Sequence, residues 1–182
     1  MKKGIKIFCW ISVIFITGLF FFFHFRGFFI IDKSEREKFI SEIKNSPQLP
    51  EKFYTIYNII HPHSLEPKSW MHFINHQAGE NRYCACRELV YAGLYPFYTK
   101  AWDIIPIITM VEKYATQEEC LNYYIHKKIK DENIDIQNIN ELGDSEIAEL
   151  ILLIDNPSYY NKMRYPERMH NRVSEILNKL NK

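Results

Sequence analysis

Six histidines and cysteines fall close together near the middle of the sequence, at spacings that bear on metal coordination. They lie within 26 consecutive positions and form three pairs, which are His61 and His63, His72 and His76, and Cys84 and Cys86. The four-residue spacing of the second pair places both imidazoles on one face of a helix, as zinc sites use. The cysteine pair is spaced more closely than zinc ligands usually are. Polar loop histidines and a structural disulfide are the alternative interpretation, and we assign no metal ligand from the sequence.

The thiols themselves suggest oxidation. Cys9 falls within an apolar segment, which leaves Cys84, Cys86 and Cys120 for the rest of the chain. Outside the cytoplasm such thiols can form disulfides. Cys84 and Cys86 are too close in sequence to pair comfortably, so either of them would more naturally bridge to Cys120. One odd thiol would remain.

The apolar segment predicts a membrane anchor. From Ile5 to Phe25 the sequence reads IKIFCWISVIFITGLFFFFHF, about the length that crosses the hydrocarbon core of a bilayer as a helix. Lysines precede it, which predicts a cytoplasmic N-terminus. A cleavable signal peptide is the alternative, but no small-x-small cleavage site follows the apolar residues. We therefore predict an anchor over residues 1–31 and one extracytoplasmic domain over residues 32–182.

Composition and charge narrow the class of that domain. Apolar residues make up 47% and aromatic residues 15% of the 182 residues, which argues against a disordered ectodomain. The formal net charge is +1, and four of the 23 basic residues, Lys2, Lys3, Lys6 and Arg26, lie at or beside the apolar segment. The other 19 face 22 acidic residues. There is no basic excess of the kind that nucleic-acid binding requires.

The hydrophobic periodicity of residues 32–182 is helical, so we predict an all-α domain. Capping boxes of Ser34 with Glu37 and of Thr116 with Glu119 mark two helix starts. The polar segment 61–79 reads as a long loop. Helices are predicted from Ser34, from Pro50, over 81–94, over 103–114, from Thr116, from Asp144 and from Pro166.

The last third of the chain resembles a known family. The runs that carry the resemblance are LGDSEIA (142–148), DNPSYYN (155–161), YPER (165–168) and NRV (171–173), preceded by TQEECLNYY (116–124). Their order and spacing are similar to the end of glycosyltransferase family 51, the peptidoglycan transglycosylases that polymerise lipid II. The resemblance implies a helical, lysozyme-like fold behind a single N-terminal anchor. It also implies that the helix after Thr116 packs on the helix around 81–94, which would bring Cys120 to Cys84 or Cys86.

The resemblance implies a catalytic site as well. Glu66 is the closest fit to the glutamate that takes a proton from the acceptor sugar, although His61 falls at that place if no insertion is allowed. Asp103 is in register with the second acid. Basic residues or a divalent cation would hold the leaving pyrophosphate. The implied substrate-binding residues are Trp70, Arg82, Arg87 and Lys100.

The same residues have a plainer interpretation, in which Glu66 is a solvated loop acid and Asp103 is a helix N-cap. The second family motif falls on residues 82–89 without its glycine and hydroxyls. We therefore expect a membrane-anchored, transglycosylase-like domain that acts on or binds lipid-linked saccharide or glycan in cell-wall assembly, and whose polymerising activity is weak or undetectable. Cell-wall synthesis proteins are further expected partners. The alternative is a non-enzymatic envelope interaction protein with a His/Cys metal or disulfide site.

Overall fold

The computed structural model describes residues 2–66, 84–93, 100, 103–131, 134 and 138–181. All regular secondary structure in these ranges is helical, which confirms the predicted class. The helices are α1 (Lys2–Ile30), α2 (Lys33–Lys44), α3 (Glu51–Ile60), α4 (Ala85–Tyr91), α5 (Ile104–Tyr114), α6 (Gln117–Asp131), α7 (Asp144–Asp155) and α8 (Pro166–Leu180).

Helix α1 has two parts with different environments. Its stretch Gly4–Phe22 has a mean hydropathy of 2.2 and is not buried by the rest of the chain. By length and composition this one helix of the described residues is able to cross a membrane. The C-terminal part instead packs against α5, where Gly27 is buried. A Cβ at Gly27 would lie only 2.4 Å from the Pro106 carbonyl oxygen, so glycine allows this close approach.

The core of the domain forms where the apolar faces of the other helices meet. Helix α3 packs on α7 and α8, while α4 packs on α5 and α6, and α2 packs on α6. Apolar residues three and four apart supply each buried face, as expected for amphipathic helices. The fully buried side chains of the core include Phe39, Ile43, Phe53, Ile56, Ile107, Met110, Leu121, Ile125 and Ile147.

Most helix starts follow the sequence signals. The capping box of Thr116 and Glu119 is confirmed: the Glu119 N–H donates to the Thr116 hydroxyl at 3.1 Å, and the Thr116 N–H donates to the Glu119 carboxylate at 2.8 Å. The other predicted capping box is wrong. Helix α2 begins one residue before Ser34, and Glu37 lies instead 3.8 Å from Lys33 as an i,i+4 ion pair.

Two further starts are close to their predicted positions. Pro166 is the first residue of α8. Helix α7 begins at Asp144, but the cap is made by its neighbours, because the Gly143 N–H donates to the Glu146 carboxylate at 2.7 Å. The predicted helix over 81–94 is observed as Ala85–Tyr91, and residues 81–83 and 94 lie outside the described residues.

Candidate functional site

Glu66, the predicted catalytic base, lies in the turns that follow α3. Its carboxylate accepts a hydrogen bond from the His63 Nδ1–H at 2.7 Å. Both side chains are well exposed, Glu66 by 63%. An exposed pair of this kind contributes little to stability and presents an ordinary solvated carboxylate.

Asp103, the predicted second acid, lies in a different environment. It is buried at the N-terminus of α5, but its carboxylate does not cap that helix. One oxygen accepts a hydrogen bond from the Arg26 Nε–H at 2.8 Å, and the other accepts one from the Lys100 backbone N–H at 3.2 Å. Arg26 belongs to α1 and also lies 4.7 Å from the Phe22 ring. Asp103 therefore fastens α1 to the start of α5.

The predicted substrate-binding residues are only partly brought to this place. Lys100 meets Asp103 through its backbone, as described above. Arg87 is on α4, where its guanidinium lies 4.9 Å from the Tyr91 ring. Trp70 and Arg82 fall outside the described residues.

Sequence reasoning missed a buried polar cluster at the end of α3. His61 is only 8% exposed, and its Nε2 lies 2.7 Å from a carboxylate oxygen of Asp155, at the end of α7. The ring of Tyr57 is 4.9 Å from the imidazole. Burial raises the pKa of Tyr57 well above its ordinary value, so the hydroxyl stays protonated. This hydrogen bond ties α3 to α7 inside the domain and fixes the orientation of the imidazole.

Glu88 on α4 is electrostatically coupled to this cluster. Burial raises the pKa of Glu88; the charges of Arg87 and His61 oppose the increase, and the Asp155 carboxylate adds to it. Nothing in the sequence around Glu88 indicates that His61 and Asp155 lie near it. The alternative alignment, which puts His61 in place of the catalytic glutamate, is the one sequence feature that indicates this cluster.

A disulfide joins α4 to α6. Cys86 and Cys120 are bonded, with their Cα atoms 4.9 Å apart, so the prediction that Cys120 bridges to one cysteine of the pair is confirmed. Cys84 is buried and outside the disulfide, and its sulfur lies 3.5 Å from the Glu112 carboxylate. The amide of Gln117 links the two cysteine positions, because it donates to Glu112 at 2.6 Å and accepts the Cys86 N–H at 3.0 Å.

These contacts bear on the zinc site that the spacing of the histidines and cysteines raised. Cys86 is oxidised and cannot supply a thiolate to zinc. Both oxygens of Asp103 accept hydrogen bonds from N–H donors. Within the described residues no group of three or more His, Cys, Asp or Glu side chains is arranged to hold a metal. His72 and His76 lie outside those residues.

Comparison with known proteins adds no assignment, since no protein family, curated protein or solved structure matches the chain.

Proposed function

We propose that the chain is a membrane-anchored, extracytoplasmic domain of the transglycosylase type that binds lipid-linked saccharide without polymerising it. The observation that carries the proposal is the hydrogen bonding of the Asp103 carboxylate within the chain. The residue in register with the second acid is buried, and its oxygens are bonded to Arg26 and to the Lys100 N–H. A carboxylate held in this way joins the anchor helix to the domain and is poorly placed to serve a substrate.

The exposed part of α1 supports the anchor. The 19 residues of Gly4–Phe22 extend about 28 Å at 1.5 Å per residue, close to the roughly 30 Å of a hydrocarbon core. Because the same helix continues into the contact with α5, the domain would lie directly against the membrane surface. The lysines at the start of the chain favour a cytoplasmic N-terminus, which puts the domain on the cell-wall side.

Two features support the lysozyme-like part of the proposal. The described domain is built from helices, as the resemblance implies. Helix α4, which carries the second motif, packs on α6, and the disulfide between Cys86 and Cys120 joins them as the resemblance led us to expect.

The loss of activity follows from what each acid contacts. General base catalysis needs a carboxylate within hydrogen-bond reach of the acceptor hydroxyl, directly or through one water. Glu66 is exposed and bonded to His63, and Asp103 is buried against Arg26. The sequence of residues 82–89 also lacks the hydroxyls and the glycine of the family motif.

The test uses the full chain in nanodiscs of neutral lipid, with lipid II as the probe. We expect saturable lipid II binding and no glycan polymer, and we expect Glu66→Gln to bind lipid II as the natural chain does. Polymerisation that falls at least about 10²-fold in Glu66→Gln would overturn the non-catalytic part and restore Glu66 as the base. Polymerisation that rises in Asp103→Glu would do the same for the second acid. Failure to bind lipid II would overturn the proposal itself.

The orientation is tested separately. A reporter fused after Lys182 should be active outside the cytoplasm, because Lys2, Lys3 and Lys6 hold the N-terminus inside. A matched fusion before Lys2 should report from the cytoplasm. Cytoplasmic activity of the C-terminal fusion would end both the anchor and the cell-wall assignment.

The disulfide is the observation that favours a second candidate. An envelope interaction protein also needs a rigid helical surface, and the bond between Cys86 and Cys120 braces α4 against α6. A chain that binds no lipid II yet retains a protein partner only while the disulfide is intact would favour this candidate.

A further inference from the structure

An open cleft lies between the segment that follows α7 and the outer face of α8. Its volume is about 710 Å³, within the size range of small-molecule sites. The residues that line it include Tyr159, Tyr160, Arg164, Tyr165, Arg168, Asn171, Arg172 and Glu175. We propose that this cleft binds an acidic saccharide, through an oxyanion on the sugar. The inference deepens the proposed function, since it gives the saccharide a binding place.

Arg168 is held ready for an oxyanion. Its guanidinium carbon lies 4.1 Å from the Tyr159 ring centroid and 4.4 Å from that of Tyr165. One of its N–H groups donates to the Tyr159 carbonyl at 3.4 Å. Aromatic contacts of this kind hold the planar group in one orientation, so less entropy is lost when it binds. The remaining N–H donors suit a carboxylate or phosphate.

The net charge of the cleft limits how many negative charges its ligand can carry. Arg164 has no side-chain hydrogen bond or ion pair in the described part of the chain, whereas Arg172 is paired with Glu175 at 2.7 Å. Glu167 also lines the cleft and opposes a second negative charge. Three arginines and two glutamates leave a small positive excess. This suits one carboxylate or phosphate and disfavours a polyanion such as nucleic acid.

The aromatic lining points to a sugar on that anion. Tyr159 and Tyr165 are 48% and 44% exposed, although they are large rings. Exposed ring surface offers apolar contact to the C–H groups of a pyranose, while phenol and amide groups, including that of Asn171, bond to its hydroxyls. A bare phosphate would leave most of the cleft empty.

The experiment measures binding by titration calorimetry to the full chain in nanodiscs of neutral lipid. The probes are a disaccharide of N-acetylglucosamine and glucuronate, which carries one carboxylate, the uncharged N-acetylglucosamine disaccharide, and inorganic phosphate. The acidic saccharide should bind at least about tenfold more tightly than either of the others, because it alone satisfies both the arginines and the rings.

The matched variants are Arg164→Gln and Lys162→Gln. Each removes one positive charge from the same exposed segment, but Lys162 is paired with Glu149 and does not line the cleft. Arg164→Gln should weaken acidic-saccharide binding about tenfold or more, and Lys162→Gln should leave it within about twofold. Arg168→Lys, which keeps the charge and loses the planar fork, should also weaken it, at an unchanged melting temperature.

Several results would overturn the inference. Equal losses in Arg164→Gln and Lys162→Gln would indicate diffuse charge attraction. Equal affinity for the neutral disaccharide would show that the cleft does not recognise an oxyanion. Phosphate binding as tight as that of the saccharide would show that the cleft does not recognise a sugar. If none of the probes binds, the cleft is not a binding site for acidic saccharides. Lipid II binding distinguishes this inference from the proposed function. If Arg164→Gln binds lipid II as tightly as the natural chain does, the cleft is not the binding site and the proposed function stands. If acidic saccharide binds and requires Arg164, but lipid II does not bind, the cleft stands and the proposed function is wrong.

Discussion

Replacing Gly27 by alanine tests the junction between α1 and the domain. The added Cβ would lie 2.4 Å from the Pro106 carbonyl oxygen, 2.9 Å from its carbonyl carbon and 3.0 Å from the Met110 Cβ. Two of these three atoms are backbone, so no side chain can rotate away to relieve the clash with Pro106. Helix α1 must retreat by about 1 Å to reach ordinary contact distances near 3.5 Å.

Overpacking of this kind destabilises by about 1–3 kcal/mol. For a chain of this size about 1 kcal/mol shifts the melting temperature by roughly 2–4 °C, so Gly27→Ala should melt about 2–12 °C lower. Gly18→Ala is the matched control, because a Cβ at Gly18 meets nothing within 4 Å. It makes the same chemical change in the same helix and should melt at the natural temperature or slightly above it, since alanine favours helix.

The assay is thermal unfolding of the full chain in nanodiscs, together with hydrogen exchange of the amides in 25–31 and 103–110. Gly27→Ala should lose protection in both ranges, because the two segments protect each other. If Gly27→Ala and Gly18→Ala show the same melting temperature and the same protection, α1 does not pack closely against Pro106. The close contact between α1 and α5 would then be wrong.

Three more predictions concern individual contacts described above. Cys86→Ser should lower the free energy of unfolding by about 3–4 kcal/mol, as opening a 34-residue separation predicts, whereas Cys84→Ser should lower it by under about 1 kcal/mol; equal losses would contradict this. Glu88→Gln should raise the melting temperature at pH 7 and leave it unchanged near pH 4. The reason is that a raised pKa in the folded state makes the natural chain lose stability as pH rises through that pKa, so a gap independent of pH would contradict it. Asp103→Asn and Arg26→Gln should each lower the free energy of unfolding by about 1–3 kcal/mol, less than a fully buried pair because Arg26 is 38% exposed, and a double-mutant cycle without coupling would exclude the ion pair.

The sequence predicted those parts of the fold that depend on local signals. The box of Thr116 and Glu119 needs only two side chains three residues apart, so it forms wherever the helix begins there. Ser34 and Glu37 carry the same pattern, but α2 extends back to Lys33 and Glu37 takes the nearby cation as its partner. The sequence alone does not decide whether such a glutamate caps the helix or pairs with a neighbouring lysine.

The buried polar groups were not predictable in the same way. Asp155 lies 94 residues from His61 along the chain, and nothing local indicates that the ends of α3 and α7 meet. The raised pKa of Glu88 likewise depends on burial and on charges brought by other helices. The disulfide partner of Cys120 was narrowed to two residues by elimination, and only the packing of α4 on α6 selects Cys86 over Cys84.

Asp103 shows that an acid predicted to act on a substrate can instead hold two helices together. The family resemblance aligns Asp103 with a second catalytic acid, yet its carboxylate is bonded to Arg26 of α1, the helix that contains the predicted membrane span. Asp103 needs a partner, because a buried and unpaired charge is strongly unfavourable. Asp103→Glu would therefore disturb the contact between α1 and the start of α5. Under the function proposed above, a domain whose Asp103 carboxylate holds α1 against α5 is better suited to binding a saccharide at the membrane than to extending one.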